Sequence, residues 1–220
     1  DISSAWLRYA AENRKVCDVL VRTAFHPSML LWRPSQRHRR HVAGLTRDGH
    51  AMTNRNCPMQ PLIQPSAGQR IGVISDTHGL LRPEALEALE GVERILHAGD
   101  IGDPGHLDAL ARIAPVTAIR GNIDRGPWAE ALPETVSLTI GGLRIHMIHD
   151  RKALRADPAA EGWNVVISGH SHKPGIEETG STLWLNPGAA GPRRFRLPIT
   201  LAFLWEEAGR PRAVIHPLPI

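Results

Sequence analysis

Side chains that commonly bind metal ions occur in five short sequence strings, at residues 76–78, 99–100, 121–122, 149 and 169–172. Mixed carboxylate and imidazole ligands suit Mn, Fe, Co, Ni or Zn better than Ca. Two such ions about 3.5–4 Å apart can activate a water molecule and clamp a phosphoryl group. The residue types therefore predict metal-assisted chemistry on a phosphate. The strings contain two aspartates, one asparagine and four histidines, enough for two adjacent ions: Asp76, His78, Asp100, Asn122, His149, His170 and His172.

Each string follows an apolar run that is typical of a β-strand. Ligands that follow successive strands can converge on one edge of a sheet, where loops commonly carry function. His170 and His172 are separated by one residue, so in an extended segment both would point to the same side. The ordered set is therefore more specific than any one string. The runs cover residues 71–75, 94–97, 116–120, 144–148 and 165–168.

Helical patterns separate the first of these runs, and the chain then turns mostly to strands. Residues 83–89 predict a helix, because Pro83 lies near its start and Leu86 and Leu89 are spaced three apart. Residues 106–113 predict a second helix. Further strand-like runs are residues 136–140, 175–178, 182–185, 201–205 and 213–217.

The ordered strings resemble those of the calcineurin-like metallophosphoesterases, specifically the small bacterial and archaeal phosphodiesterase group with the Vps29-like fold. Further matching segments are residues 72–79, 96–101 and 186–194, and the resemblance spans about residues 70–217. With the order of predicted elements, it implies an α/β fold in which two packed mixed β-sheets are flanked by helices. This arrangement is a four-layer sandwich.

The resemblance also implies how the ligands divide between two ions. The first ion would be held by Asp76, His78, Asp100 and His172. The second would be held by Asp100, Asn122, His149 and His170, so that Asp100 bridges the two. Manganese is the expected metal, with Ni, Co, Fe or Zn as alternatives. A metal-bridging hydroxide would attack phosphorus, and Asp100, Asn122 and His149 are the residues expected to carry catalysis.

One position departs from the larger relatives of this family. In the phosphoprotein phosphatase and nuclease branches, a histidine follows the asparagine of the third string and is thought to protonate the leaving group. Here Ile123 follows Asn122, and an isoleucine cannot transfer a proton. This places the chain with the small phosphodiesterases and predicts slow cleavage of poor leaving groups.

Three further polar residues lie close to the strings. His97 is expected to be buried or to support a ligand by a hydrogen bond, rather than to bind metal itself. Asp124 is either a turn residue or a hydrogen-bond partner of a ligand histidine, and both alternatives stay open. Asp150 is expected to cap a short helix over residues 151–154.

The first third of the chain differs in charge from the rest. Residues 1–69 carry ten Lys/Arg and four Asp/Glu, whereas residues 70–220 carry sixteen and eighteen. We therefore expect a basic, poorly ordered extension over residues 1–69 and a metallophosphoesterase domain over residues 70–220. Residues 3–25 have the pattern of an amphipathic helix. Met52 is a candidate biological start, which would make residues 1–51 non-native.

Composition limits the compartment and the partners. The two cysteines, Cys17 and Cys57, lie outside the strings and fit a reducing cytoplasm. The chain contains no run of about 18 apolar residues, so no membrane span is expected. The expected partner is a small phosphodiester substrate and not nucleic acid; the oligomeric state stays open, with a homodimer as one alternative. The rival functions are a broad phosphomonoesterase with the same site and a Vps29-like protein-binding scaffold with a vestigial metal site.

Overall fold

Two five-stranded sheets and four short helices build the part of the chain that the structure describes, which is residues 70–220 of this computed structural model. The first sheet has the strand order β10-β9-β1-β2-β3. Strands β1, β2 and β3 are parallel, and β9 runs antiparallel to β1 and β10. Its strands are β1 (Ile71–Ile74), β2 (Arg94–His97), β3 (Val116–Ala118), β9 (Thr200–Glu207) and β10 (Arg210–Pro217).

Helices connect the parallel strands of the first sheet, because parallel neighbours need a crossover. Helix α1 (Pro83–Ala88) joins β1 to β2, and helix α2 (Gly105–Ala111) joins β2 to β3. Pro83 begins α1, where its missing N–H costs no intrahelical hydrogen bond. These crossovers bring the carboxyl ends of all three strands to one edge of the sheet.

The second sheet has the strand order β4-β5-β6-β8-β7. Strands β5, β6 and β8 are parallel, and β4 and β7 pair antiparallel at the two sides. Its strands are β4 (Thr135–Ile140), β5 (Leu143–Ile148), β6 (Val165–Ile167), β7 (Gly175–Thr179) and β8 (Thr182–Asn186). Helix α3 (Pro127–Glu130) precedes β4, and a 3₁₀ turn (Arg151–Ala153) and helix α4 (Pro158–Glu161) lie between β5 and β6.

The main hydrophobic core lies between the two sheets. Val73 and Leu96 of the first sheet belong to one buried cluster with Ile145 and Ile167 of the second. A second cluster joins the other face of the first sheet to α1 and α2, and Leu89 is fully buried there. Burial of side chains of this size contributes about 1.5–3 kcal/mol each, so the inter-sheet core fixes how the two ligand-bearing edges meet.

The predicted architecture of two packed mixed sheets with helices is confirmed, and each predicted strand and both predicted helices are present. The structure adds α3 and α4, which are four residues each and too short to show a helical period. The predicted capping role of Asp150 is confirmed, because its Oδ1 accepts a hydrogen bond from the Lys152 amide at 2.9 Å.

The predicted basic extension, the amphipathic helix over residues 3–25 and the proposed start at Met52 lie outside the described residues. Within the described residues, no helix has the length and apolar character that a membrane crossing requires.

Candidate metal centre

The seven predicted ligand residues lie on loops at the carboxyl ends of strands, and these loops meet between the two sheets. The loops after β1 and β2 continue side by side, since the amides of Asp76 and His78 donate to the carbonyls of Gly99 and Asp100 at 3.0 and 2.9 Å. The loop after β6 joins them from the second sheet, because the His170 amide donates to Asp76 Oδ2 at 3.1 Å. Both sheets therefore contribute to one site.

Asp76, His78 and His172 form the first ligand group. Asp76 Oδ1 lies 3.2 Å from His172 Nε2 and 3.6 Å from His78 Nε2. The two imidazole nitrogens lie 3.1 Å apart. Asp76 and His172 are buried, and His78 is partly buried. These spacings place one atom from each residue around a common point, as a single ion would require.

Hydrogen bonds orient the carboxylate of Asp76. Its Oδ2 accepts from Ser75 Oγ at 2.7 Å and from the His170 amide at 3.1 Å. Its Oδ1 is buried without a hydrogen-bond partner among the described residues. Burial raises the pKa of Asp76, but the His172 and His78 imidazoles and the Ser75 hydroxyl lower it by more, so the pKa lies below its usual range. An ionised oxygen therefore faces His78 and His172.

Asp100, His149 and His170 form the second ligand group. Asp100 Oδ2 lies 3.2 Å from His149 Nε2, and the atoms of the three residues lie within 4.8 Å of one another. Asn122 extends this group, because its Oδ1 lies 3.0 Å from His170 Nδ1. Asn122 and His170 are exposed, so this group opens to solvent.

The carboxylate of Asp100 lies between the two groups. The same Oδ2 that faces His149 lies 3.7 Å from His78 Nε2 of the first group, while Oδ1 accepts from the Ile123 amide at 3.1 Å. Burial raises the pKa of Asp100, but His149 and the Ile123 amide lower it by more, and the net pKa lies below the ordinary value. One ionised oxygen is therefore shared by both groups.

The ring of His149 is held by its other nitrogen. Nδ1 lies 2.7 Å from the Ala98 carbonyl, so it carries the proton and donates. Nε2 is buried and has no hydrogen-bond partner of acceptable geometry among the described residues. Burial lowers the pKa of His149, but Asp100 and the Ala98 carbonyl raise it by more, and the net pKa lies above the ordinary value.

The backbone of the ligand residues is unusual. Seven described residues other than glycine have positive φ, and five of them are predicted ligands: Asp76, His78, Asp100, His170 and His172, with φ between 45° and 63°. Side chains with a Cβ rarely adopt this left-handed conformation, and such strain concentrates at functional sites. The packing around the loops imposes this conformation, and it aims the side chains at one another.

Two glycines allow the loops to approach closely. A Cβ on Gly121 would lie 2.0 Å from Asp100 Oδ1, and a Cβ on Gly169 would lie 2.0 Å from Ser75 Oγ and 2.7 Å from Asp76 Oδ2. Any larger residue would displace the carboxylates that face the site. The glycines that precede Asn122 and His170 in the sequence thus have a steric role.

The residues present fit two divalent transition-metal ions. Carboxylate oxygens and imidazole nitrogens are the donors that such ions take in proteins. Asp76 Oδ1 and His149 Nε2 are buried polar atoms without partners among the described residues, which an ion would satisfy. The hydrogen bond from His149 Nδ1 to Ala98 is the kind of support that fixes a metal-binding imidazole.

His97 lies beneath the site and not in it. It is fully buried, and its Nε2 lies 3.1 Å from Thr77 Oγ1 while its Nδ1 accepts from the Gly99 amide at 3.3 Å. Burial lowers the pKa of His97 to about 4, despite the nearby carboxylates of Asp124 and Asp76. His97 is therefore neutral near pH 7 and positions the loops after β1 and β2.

Asp124 also supports the loops. Its Oδ1 and Oδ2 accept hydrogen bonds from the amides of Gly102 and Gly121, each at 2.8 Å. Within residues 70–220 these contacts are to backbone amides and not to a ligand histidine, which favours the turn alternative. Asp124 ties the loop after β2 to the loop after β3, next to Asp100 and Asn122.

Asn186 is a site-positioning residue that the sequence analysis did not single out. Its Nδ2 donates to the Gly169 carbonyl at 2.7 Å and to Ser171 Oγ at 3.1 Å. Its Oδ1 accepts from the Gly188 amide at 2.9 Å, a contact within the local turn. Asn186 thereby holds the loop that presents His170 and His172. Its place in the motif 186–194 was the only available signal.

Comparison with known proteins identifies the family. A sequence profile of the calcineurin-like phosphoesterase superfamily domain matches residues 70–209. The chain belongs to the calcineurin-like phosphoesterase superfamily. A probable metallophosphoesterase of Methanothermobacter thermautotrophicus is 41% identical over 131 residues, which cover 54% of this chain and 76% of that protein. The resemblance of the sequence strings to this superfamily is confirmed.

Two solved structures extend the comparison. One, described as a novel archaeal phosphodiesterase, has a TM-score of 0.54 and 26% identity, and the match covers 67% of this chain and 99% of that one. A Vps29 single mutant from Entamoeba histolytica has a TM-score of 0.55 and 22% identity, over 68% and 99% of the two chains. The Vps29 match supports the fold alone, whereas superfamily membership and the ligand groups support a metal-binding hydrolase.

Proposed function

We propose that the protein is a dinuclear metal-dependent phosphodiesterase. The observation that carries this proposal is the position of Asp100, whose Oδ2 lies 3.2 Å from His149 Nε2 and 3.7 Å from His78 Nε2. A carboxylate oxygen placed between two sets of imidazoles suits a bridge between two ions better than a ligand to one. Relatives described as phosphodiesterases support the reaction class.

The ligands divide as the resemblance implies. Asp76, His78, Asp100 and His172 would hold one ion, and Asp100, Asn122, His149 and His170 would hold the other. When bound, two divalent ions lower the pKa of a water molecule so that it can act as a nucleophile near neutral pH. They also offset the negative charge of a phosphoryl group. We favour manganese, and Ni, Co, Fe and Zn suit the same donors.

The chain's own residues prepare this site by orientation and charge. Ser75 turns Asp76 so that Oδ1 faces the histidines, and the Ala98 carbonyl fixes the tautomer of His149 with Nε2 free. Asp76 and Asp100 are the two carboxylates among the seven ligands, so two divalent ions leave the centre with net positive charge. A phosphodiester anion is attracted to such a centre, and the charge that develops during cleavage is stabilised there.

Within the part of the chain that the structure describes, the site has no evident residue to donate a proton to the leaving group. Ile123 follows Asn122 and is 37% exposed, so it lies at the rim where a donor would be useful and offers none. His97 is fully buried and contacts Thr77, so it does not replace that donor. We therefore infer a preference for diesters whose leaving groups are weak bases, such as nitrophenolate.

Two rival functions share this geometry. A broad phosphomonoesterase would use the same ligands, and a protein-binding scaffold would use the Vps29-like fold without turnover. The complete set of seven ligands supports an enzyme, because a scaffold has no need of all seven. A small diester as partner and a cytoplasmic location are further parts of the proposal, and the oligomeric state stays open, with a homodimer as one alternative.

The test is metal reconstitution followed by assay. Metal-free protein is titrated with Mn²⁺, Ni²⁺, Co²⁺, Zn²⁺ or Mg²⁺. The number of ions bound per chain is then measured by elemental mass spectrometry. Hydrolysis of bis(p-nitrophenyl) phosphate and p-nitrophenyl phosphate is then compared. We expect two ions per chain and a higher kcat/KM for the diester. Higher kcat/KM for the monoester would favour the phosphomonoesterase, and two bound ions without turnover of either ester would favour the scaffold.

A further inference from the structure

A cleft of about 610 Å³ opens beside the second ligand group. It lies between the loop that carries His170, the 3₁₀ turn after β5, and strands β7 and β8. His170 lines the cleft and also belongs to the metal centre. A volume of this size is typical of sites for small ligands. One ester arm of a diester held at the metal centre can therefore extend into the cleft.

The cleft carries three cationic side chains and two carboxylates, and their contacts are unequal. Arg151 forms an ion pair with Glu177, and its guanidinium lies 4.1 Å above the centre of the Trp184 ring. Asp150 is the cap of the 3₁₀ turn. Lys152 and Lys173 are exposed, and within residues 70–220 neither forms an ion pair. Arg151 is thus fixed, and two ammonium groups are available to a ligand.

The choice of lysine at these positions is specific to the cleft. Of the sixteen Lys and Arg residues in positions 70–220, fourteen are arginine. The two lysines are Lys152 and Lys173, and both line this cleft. Lysine contacts a phosphate as a compact, mobile point charge, without the planar geometry of arginine. Paired lysines suit a terminal phosphate whose position differs from substrate to substrate.

We propose that Lys152 and Lys173 bind a second phosphate on one ester arm of the substrate, so that the preferred diesters carry a terminal phosphate on that arm. This inference rests on the diesterase function proposed above. The second phosphate is held and not cleaved: water attacks the bridging phosphorus, and the other ester arm leaves. The two lysines act on binding, so their contribution falls on KM and decreases with salt.

The experiment compares two substrates that differ by one phosphate. They are the p-nitrophenyl ester of thymidine 5′-phosphate and the same ester with an added 3′-phosphate, and the full chain is loaded with Mn²⁺. We expect kcat/KM to be on the order of tenfold higher for the 3′-phosphorylated ester, mainly through KM. In the double variant Lys152→Gln with Lys173→Gln, this ratio should fall to about one.

A matched variant separates local from general electrostatic effects. Arg112→Gln with Arg210→Gln removes the same charge from exposed positions at the end of α2 and the start of β10, and it should keep the wild-type ratio. An equal loss in this control, or a wild-type ratio near one, would overturn the lysine assignment. Absence of hydrolysis of bis(p-nitrophenyl) phosphate would instead overturn the diesterase function, so the two failures are distinguishable.

Discussion

The two ligand groups differ in how far the protein encloses them. Two residues of each group are buried, but the third is the partly buried His78 in the first group and the exposed His170 in the second. His170 also faces the cleft. Each group takes residues from both sheets, so an ion at either position would join the two edges. We therefore expect an ion at the enclosed group to be bound more tightly than an ion at the open group, which a substrate would approach from the cleft.

The largest effect is expected where the two groups meet. Asp100→Asn removes the charge of the one oxygen that both groups share, so nucleophile generation and charge stabilisation are lost together. We expect hydrolysis of bis(p-nitrophenyl) phosphate to fall by on the order of 10³-fold or more, equivalent to about 4 kcal/mol. Steady-state kinetics with ion counting checks this. Turnover within threefold of wild type at unchanged metal content would defeat the shared role of Asp100.

A proton donor added to the open side should help, and one added to the enclosed side should not. Ile123 and Leu80 are both apolar and are 37% and 40% exposed. Ile123 adjoins Asn122 of the second group, and Leu80 follows His78 of the first. A positioned acid contributes about 10²–10⁴-fold, so Ile123→His should accelerate alkyl diesters by roughly 10²-fold and nitrophenyl diesters much less.

Leu80→His is the matched control and should leave both rates unchanged. The informative measurement is the slope of log rate against leaving-group pKa, which should be steep for wild type and shallower for Ile123→His. A shallow slope in wild type, with chemistry rate-limiting, would mean that another residue already donates the proton.

Removing one histidine from each group tests the enclosure directly. His172→Ala should abolish tight binding of the first ion, because Asp76 Oδ1 then loses one of its two imidazole neighbours. His170→Ala should leave the first ion bound and should lower the affinity for the second ion. Losing a residue that only hydrogen-bonds to a ligand typically lowers metal affinity by roughly 10–100-fold, so losing a ligand itself should cost at least as much. Calorimetric titration with Mn²⁺ measures both affinities. Loss of the more tightly bound ion in His170→Ala would contradict the assignment of that ion to the first group.

The smallest effect concerns His97, which lies beneath the enclosed group. Its pKa is about 4 in the folded protein, against 6.5 for an ordinary histidine, so between these values the unfolded chain binds more protons. Stability is therefore lost as pH falls below 6.5. At pH 5.5 the loss amounts to about 1.2 kcal/mol relative to pH 7. Denaturant unfolding of the metal-free protein measures it.

His97→Gln serves as the reference, because it cannot titrate in this range. Its stability should fall by about 1.2 kcal/mol less than that of wild type between pH 7 and pH 5.5. Equal losses in the two proteins would show that His97 is not the titrating group.

The strands and the ligand types were predictable from the sequence, because both depend on local patterns. Apolar runs gave the positions of β1, β2 and β5, and the residues that follow each run carry metal-binding side chains. The resemblance to the superfamily then predicted that the strands form two sheets packed against each other. The division between an enclosed and an open group was not predictable, since it depends on how closely the two sheets approach.

The supporting contacts were also beyond the sequence pattern. Asn186 reaches the Gly169 carbonyl across seventeen positions, and Asp124 reaches Gly102 across twenty-two. Such contacts follow from tertiary packing, which no short window contains. The cleft has the same origin, because Lys152 and Lys173 lie on separate loops that the β5–β6 pairing brings together.

The most direct test of the shared site is the position of the ions themselves. Crystals of the full chain are loaded with Mn²⁺, and the ions are located by anomalous scattering at the manganese edge. We expect two peaks about 3.5–4 Å apart, one beside Asp76, His78 and His172 and one beside His149 and His170, with Asp100 bound to both. A single ion at full loading, or two ions of which only one contacts Asp100, would contradict the dinuclear account.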